Sequence, residues 1–209
     1  ACGFLGGGCG NTVSGYCLNT IVSGKGNTIS NYARCQTIVG GTANSIVGGN
    51  GSIIGAGGNN CINLGHGQSG IVAGCCNTLA SGYDSVNNLI GGGCKNSISS
   101  KYPCRNSHNF IGAGVQNCLL SSCSGGYGCT SVNYSTIVAG RCNKIDCGAA
   151  TFIGAGQLNT ASATFSTILG GERNLISSVT GSCGGNNLIG VGYCNRICGC
   201  THANIIVGG

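Results

Sequence analysis

Charge is nearly missing from this chain. Lysine and arginine together number nine, and aspartate and glutamate three, so charged residues are 6% of 209. An ordinary soluble domain carries about 25%. Met and Trp are absent, Pro occurs once and aromatics are 5%. Each shortage removes a class of function. The three acids, Asp84, Asp146 and Glu172, are far apart in sequence. So are the three histidines, His66, His108 and His202. Without a cluster of acids, bases and nucleophiles, an enzyme is not expected. The nine basic residues form no run, so no nucleic-acid partner is expected. No apolar stretch approaches the roughly 18 residues of a transmembrane helix. The chain opens at Ala1 with no visible signal peptide, as in a mature, processed or partial chain. Glycine is abundant, at 43 residues, but falls in no G-X-Y triplet, which excludes collagen. Its G-x-G runs are followed by no helix pattern and no G-K-[ST], so no nucleotide or other cofactor is expected.

What is present is a rhythm. Asn11, Asn27, Asn44, Asn60, Asn77, Asn96, Asn117, Asn143, Asn159, Asn174 and Asn195 each have Gly three residues earlier and an aliphatic residue six earlier. Ten of the eleven have Val, Ile or Leu two residues later, and Ala161 is the exception. The unit reads I-x-[GAS]-G-x-x-N-x-[IVL], and self-similarity at a fixed period marks a repeat protein. The aliphatic anchors are Leu5, Ile21, Ile38, Ile54, Ile71, Ile90, Ile111, Ile137, Ile153, Ile168 and Ile189, with Ile205 opening a twelfth copy. Most anchors are 15–17 residues apart. That is too short for a helix pair and suits one coil of two short strands and two turns. The expected fold is therefore all-β, a parallel β-solenoid or β-roll of about 12 coils, with residues 1–209 as a single repeat domain. At about 4.8 Å per coil it forms a rod roughly 55–60 Å long.

Ile and Val suit a pleated, half-buried strand, and Gly allows positive φ and close approach of backbones at a corner. Asn tolerates the left-handed region. Stacked at one corner, the asparagine amides can also pair along the axis as a ladder. A second pattern flanks the anchors. Where the preceding residue is large (Phe4, Ile53, Leu89, Phe110, Phe152, Leu188), the following one is Gly. Where it is Thr, Gly or Asn (Thr20, Thr37, Gly70, Thr136, Thr167, Asn204), the following one is Val, Leu or Ile. Volume compensation on one face explains this. So does a one-residue slip in the glycine turn. Either way every coil has two adjacent apolar residues, which face opposite sides of a strand. One fills the interior. The other forms a stripe that a monomer would leave bare, so self-association along the axis is expected, most simply as a side-by-side homotrimer.

Three coils are long, 90–111, 111–137 and 168–189, and insertions in solenoids often form the binding side. The first two supply Lys101, Tyr102, Arg105, His108, Tyr127 and Tyr134 as candidate contacts to a glycan or protein receptor. The 18 cysteines follow no zinc-site spacing, and no metal site is expected. They fall in columns. Cys9, Cys75 and Cys94 lie two before an Asn, Cys76, Cys142 and Cys194 just before it, and Cys61 and Cys118 just after. Cys75 and Cys94 occupy consecutive coils, which brings their Cα atoms to about 5 Å, inside the disulfide window. They are the candidate disulfide. Heavy oxidised cysteine use implies an extracellular setting; free, small buried thiols are the alternative.

Segments such as Ser166-Thr167-Ile168-Leu169-Gly170-Gly171 and Asn19-Thr20-Ile21-Val22-Ser23-Gly24 resemble the head repeats of trimeric autotransporter adhesins and related repeats of phage and viral tail fibres. The resemblance covers nearly the whole chain. It implies a left-handed β-roll with three chains side by side, and an adhesive or spacer role at a surface. Eighteen cysteines and the lack of a coiled-coil stalk depart from the adhesin heads. The expected function is a non-enzymatic structural segment of a longer fibre, associating end to end and as a homotrimer, on the cell surface, the virion surface or otherwise outside the cell. Stacked asparagines and disulfides would stiffen it. The alternative is an adhesin that binds through the long coils. A third class, an ice-binding solenoid, wants a regular Thr ladder, and only four anchors are preceded by Thr.

Overall fold

The computed structural model describes residues 3–64, 67–81, 85–100, 106–122, 132–178, 185–199 and 202–209. These residues form an all-β parallel solenoid. Its strands are two to four residues long and alternate between two sheets, one of 12 strands and one of 11. Every pairing is parallel and joins a strand to the equivalent one a coil away. The anchor residues run down the centre of the first sheet, from Leu5↔Ile21 through Ile153↔Ile168. The aliphatics that follow each Asn form the matching column of the second sheet, for example Ile29, Ile46, Ile62, Leu79 and Ile98. Apart from the terminal Leu5, Val13 and Ile206, both columns are buried, and together they make the core. Ala161 takes its place there too, fully buried. Burying each Ile contributes about 2 kcal/mol, so the core is thin but continuous.

The twelfth anchor is Ile206, not Ile205: Ile189 pairs with Ile206 and Leu188 with Ile205. The backbone N–H of Asn204 donates to Asn187 Oδ1 at 3.1 Å, which locks that register. The final coil therefore has a large residue on both sides of its anchor, Ile205 and Val207, and the flanking pattern holds in eleven coils. The slip explanation of that pattern does not hold. The residues after the anchors stay in one hydrogen-bonded column: Gly6 N–H donates to Ile21 O, Val22 to Ile38, Val39 to Ile54 and Gly55 to Ile71. The large residue before the anchor and the glycine after it share the outer face, and close approach of the next coil's backbone requires the glycine. At Gly112 a Cβ would stand 2.3 Å from Val138 O and 3.4 Å from the ring of Phe110, which folds over it.

Each coil turns at two corners of the same design. At the first, the Gly three before Asn has φ of +94° at Gly57, and a Cβ there would lie 2.0 Å from Gly74 O. No side chain fits that approach. The left-handed residue near this corner is the one before Asn, including Ala43, Asn59, Cys76, Lys95 and Cys142. The repeat asparagines themselves are not left-handed. They turn inward instead, because their amides serve as internal backbone partners. Asn96 Nδ2 donates to Gly92 O at 2.8 Å and to Gly114 O at 3.0 Å. Its Oδ1 accepts the backbone N–H of Asn117 at 3.0 Å. The Oδ1-to-N–H link recurs from Asn11 to Asn195. Direct amide–amide bonds add to it at Asn44–Asn60–Asn77 and Asn117–Asn143–Asn159.

The second corner has its own buried polar column, two residues before the anchors: Asn19, Gln36, Ser52, Ser69, Asn88, Asn109, Ser135, Thr151, Ser166 and Asn187. Asn19 Oδ1 accepts Gln36 N–H, Gln36 Oε1 accepts Ser52 N–H, and Asn109 Oδ1 accepts Ser135 N–H. The residue before each is again often left-handed, as at Leu18, Cys35, Asn87, His108, Tyr134, Ala150 and Phe165.

Replacing Asn96 with Ala leaves the buried N–H of Asn117 without a partner and removes two further bonds. A buried unsatisfied group costs about 1–3 kcal/mol, so Asn96→Ala is expected to lower stability by about 2–4 kcal/mol. Asn11 is only partly buried, and Asn11→Ala is expected to cost about 1 kcal/mol. Urea unfolding midpoints of the two variants check this; equal midpoints would refute the ladder's role.

Candidate functional site

Three surfaces of the solenoid carry distinct chemistry. The first is the outer face of the first sheet. Val22, Val39, Ile53, Val72, Leu89, Val138 and Leu169 are each 39–55% exposed there, with half-buried Phe110, Phe152 and Leu188 between them. None of the residues flanking the twelve anchors is charged. The row extends over all twelve strands, roughly 50 Å at about 4.8 Å per step.

The second surface is the first-corner edge, where thiols and charge collect. Cys9, Lys25, Thr42, Gly58, Cys75, Cys94, Val115, Arg141, Gln157, Glu172 and Tyr193 form one ladder of bridges. Cys75 and Cys94 are neighbours in it, with Sγ atoms 2.9 Å apart. A disulfide bond measures about 2.05 Å, so these are two free thiols in contact. Eleven described cysteines are free, and a twelfth, Cys147, is disulfide-bonded. The columns explain the free thiols. Cys9 has Lys25 as its neighbour, Cys76 lies between Asn59 and Lys95, and Cys61 pairs with Ser45 and Thr78. Among described cysteines only Cys75 and Cys94 stack in one column on adjacent coils. Contact with Cys94 pushes the Cys75 pKa up to about 11, first through their hydrogen bond. Cys198 is displaced the other way: a hydrogen bond with Ser177, and then Arg196, lower its pKa. Further along the edge, Glu172 pairs with Arg173 at 3.1 Å, and Arg173 Nη1 donates to the Tyr193 hydroxyl at 2.8 Å.

The third surface is the second-corner edge, rich in amides and aromatics. Tyr16 and Tyr32 meet with ring centroids 5.3 Å apart, and Arg34 lies over Tyr16. Asn50, Gly67, Gln68, Val86 and Asn87 line a shallow cleft. The Asn87 amide nitrogen is 3.2 Å from His108 Nε2, and the His108 ring stacks on Tyr134 at 4.9 Å and 15°. Of the expected ligand contacts, His108 and Tyr134 therefore come together from successive long coils. Lys101, Tyr102, Arg105 and Tyr127 lie outside the described residues. The extra length of each long coil falls between a second-sheet strand and this corner.

His108 and Tyr134 of this edge are legible in the sequence as long-coil residues, but its buried polar column is not. The polar residues two before each anchor vary among Asn, Gln, Ser and Thr. Among the described residues no group of three or more His, Cys, Asp or Glu side chains could hold a metal ion. Among the described residues no helix is long and apolar enough to cross a membrane. Compared with known proteins, no family model matches this chain and no curated protein matches it. The fold defines a class, the parallel β-solenoid, and its three surfaces are what distinguish this member.

Reactivity follows thiolate content, offset in part by the lower nucleophilicity of a more acidic thiol. At pH 8, iodoacetamide is expected to alkylate Cys198 about tenfold faster than Cys75. Peptide mass mapping over time reads the two rates; equal rates would show that the Cys75–Cys94 contact is not maintained in solution.

Proposed function

We propose that the chain is a non-enzymatic structural segment of a fibre outside the cell or on a virion surface, with three copies packed side by side about an axis parallel to the solenoid. The observation that carries this reading is the uncharged apolar row on the first sheet. A soluble monomer rarely exposes a contiguous apolar patch beyond a few hundred Å². A row one coil wide and twelve coils long can be covered throughout its length by equivalent rows of parallel copies, and closed symmetry is the usual solution for identical chains. The unvarying corners favour a spacer: a backbone that repeats one hydrogen-bonding scheme coil after coil extends in a single direction. The resemblance of the repeat to surface-fibre repeats supports the same role. Of the four Thr residues in the row, at 20, 37, 136 and 167, only Thr20 and Thr37 are neighbours; Phe152 stands between Thr136 and Thr167, so no flat hydroxyl ladder runs along the face, which disfavours ice binding.

On this reading the Cys75–Cys94 pair closes to a disulfide in an oxidising compartment and clamps two coils together. Two thiols become one S–S bond as a small-molecule disulfide is reduced to two thiols.

Two outcomes are expected. Native mass spectrometry of the intact chain gives a trimer, and the Val39→Asp/Val72→Asp double variant gives a folded monomer. A wild-type monomer at tens of micromolar would overturn the assembly. After equilibration with glutathione disulfide, non-reducing peptide mapping recovers a Cys75–Cys94 crosslink. Recovery of both as free or mixed-disulfide thiols would exclude the clamp.

A further inference from the structure

The second-corner edge is not used by the fibre reading, and its residue types differ from those of the other edge. We infer that the edge between Asn50 and Phe165 is a binding site for an uncharged oligosaccharide that inserts one sugar ring between Tyr134 and Phe165. Four observations converge on it.

The first is the aromatic platform. His108 and Tyr134 stack nearly parallel, at 15°, across one coil step, so their planes lie across the axis. His108 covers one face of Tyr134. The next coil presents Ala150 at the equivalent corner position, with the same left-handed backbone. Ala150 is too small to cover the other face, and Tyr134 is 67% exposed. One coil further, Phe165 occupies the same position and is 60% exposed. The result is a slot one coil wide, with Tyr134 as one wall, Phe165 on the far side and a methyl group at its base. A slot of two coil steps, roughly 9–10 Å between ring positions, has room for a single non-aromatic ring. The C–H face of a pyranose is the natural occupant, since aromatic faces are electron-rich and attract polarised C–H edges.

The second observation is the amide cleft on the opposite side of the stack. Asn50, Gln68 and Asn87 line it, and their amides can both donate to and accept from hydroxyl groups. Gln68 is held over Gly51, with its Cγ 3.1 Å from where a Cβ of Gly51 would stand. The third observation is continuity. Asn87 contacts His108 and His108 stacks on Tyr134, so cleft and platform are one surface. The fourth is charge. The two residues that each of these seven coils contributes to the corner, from Asn50-Gly51 to Thr164-Phe165, include no Lys, Arg, Asp or Glu. Arg34, the neighbour of Asn50 one coil earlier on this edge, lies over the Tyr16 ring, whereas the first-corner ladder carries Lys25, Arg141 and Glu172. An anionic glycan would find no cation in these positions, whereas a neutral one loses nothing.

The test is an array of neutral linear oligosaccharides (glucans, galactans, mannans and xylans), with sialylated and sulfated glycans alongside, probed with the intact chain. Three variants accompany the wild type. Tyr134→Ala removes the platform and Asn87→Ala removes a central amide. Ala150→Phe fills the slot while keeping a backbone conformation that Tyr134 and Phe165 already adopt, so it is expected to fold. Retention of at least one neutral oligosaccharide is expected, weakened roughly tenfold or more by Tyr134→Ala and Ala150→Phe and less by Asn87→Ala. Circular dichroism and native mass should be unchanged. No retained neutral glycan, retention of anionic glycans alone, or equal retention by wild type and Ala150→Phe would each overturn the assignment. Because oligomeric mass is read separately, failure here leaves the fibre reading standing, and a monomeric protein that still binds would do the reverse.

Discussion

The structure depends on one buried amide per coil. Strands of two to four residues cannot satisfy the backbone at the corners that join them, and the core beside those corners holds little more than isoleucine. A buried N–H or carbonyl left unpaired there costs as much as a hydrogen bond contributes, and the loss would recur in every coil. The repeat asparagine answers this with both ends of its side chain. Its Oδ1 takes the N–H of the equivalent residue in the next coil, and its Nδ2 serves two carbonyls at the glycine turn, as at Asn96. Aspartate lacks the donors, and serine lacks the reach to serve both carbonyls. The glycine three residues earlier follows from the same geometry, because the neighbouring coil's backbone stands where its side chain would be.

Once the corners carry the fold, the exterior is free to vary without disturbing the register. Three surfaces use that freedom differently. The outer face of the first sheet stays apolar along its length, and large residues before the anchor are paired with glycine after it. The first-corner edge gathers thiols and charge in one ladder, where the chemistry of each cysteine is set by its vertical neighbour: Lys25 beside Cys9, Cys94 beside Cys75. The second-corner edge gathers amides and aromatic rings. In a solenoid a surface is a set of columns, so residues about sixteen apart in sequence become neighbours, and isolated residue types become chemical strips.

Much of this was legible from the chain. The anchors, the turn glycines and the inward asparagines all sit at fixed intervals, and parallel stacking converts a fixed interval directly into a column. Cys75 beside Cys94 is such a case. Structure and sequence pattern part where the interval is not the governing quantity. Spacing alone points to Ile205 as the last anchor, since the final copy has no repeat asparagine to register it; Asn204 bonding to Asn187 sets that register and selects Ile206. The left-handed residue was expected to be Asn, the type that tolerates that conformation best. The demand for an internal hydrogen-bond partner is stronger, so Asn turns inward and the strain moves to its predecessor, even when that is Cys142 or Leu158. The second corner's polar column escapes the pattern because several side chains, Asn, Gln, Ser and Thr, can each supply its one acceptor.

By itself, then, the sequence determined the class of fold, the number of coils and the identity of the core, because period and hydrophobicity are properties of single positions repeated along a chain. Tertiary structure decided which neighbours those positions acquire. It showed that among the described cysteines eleven are free, with Cys75 and Cys94 in contact, and that Cys147 is disulfide-bonded. It also brought His108 onto Tyr134 from two coils of unequal length. Such contacts arise only when coils of different length are forced into a common axial step by the hydrogen bonds at their corners, and no interval in the sequence records that step.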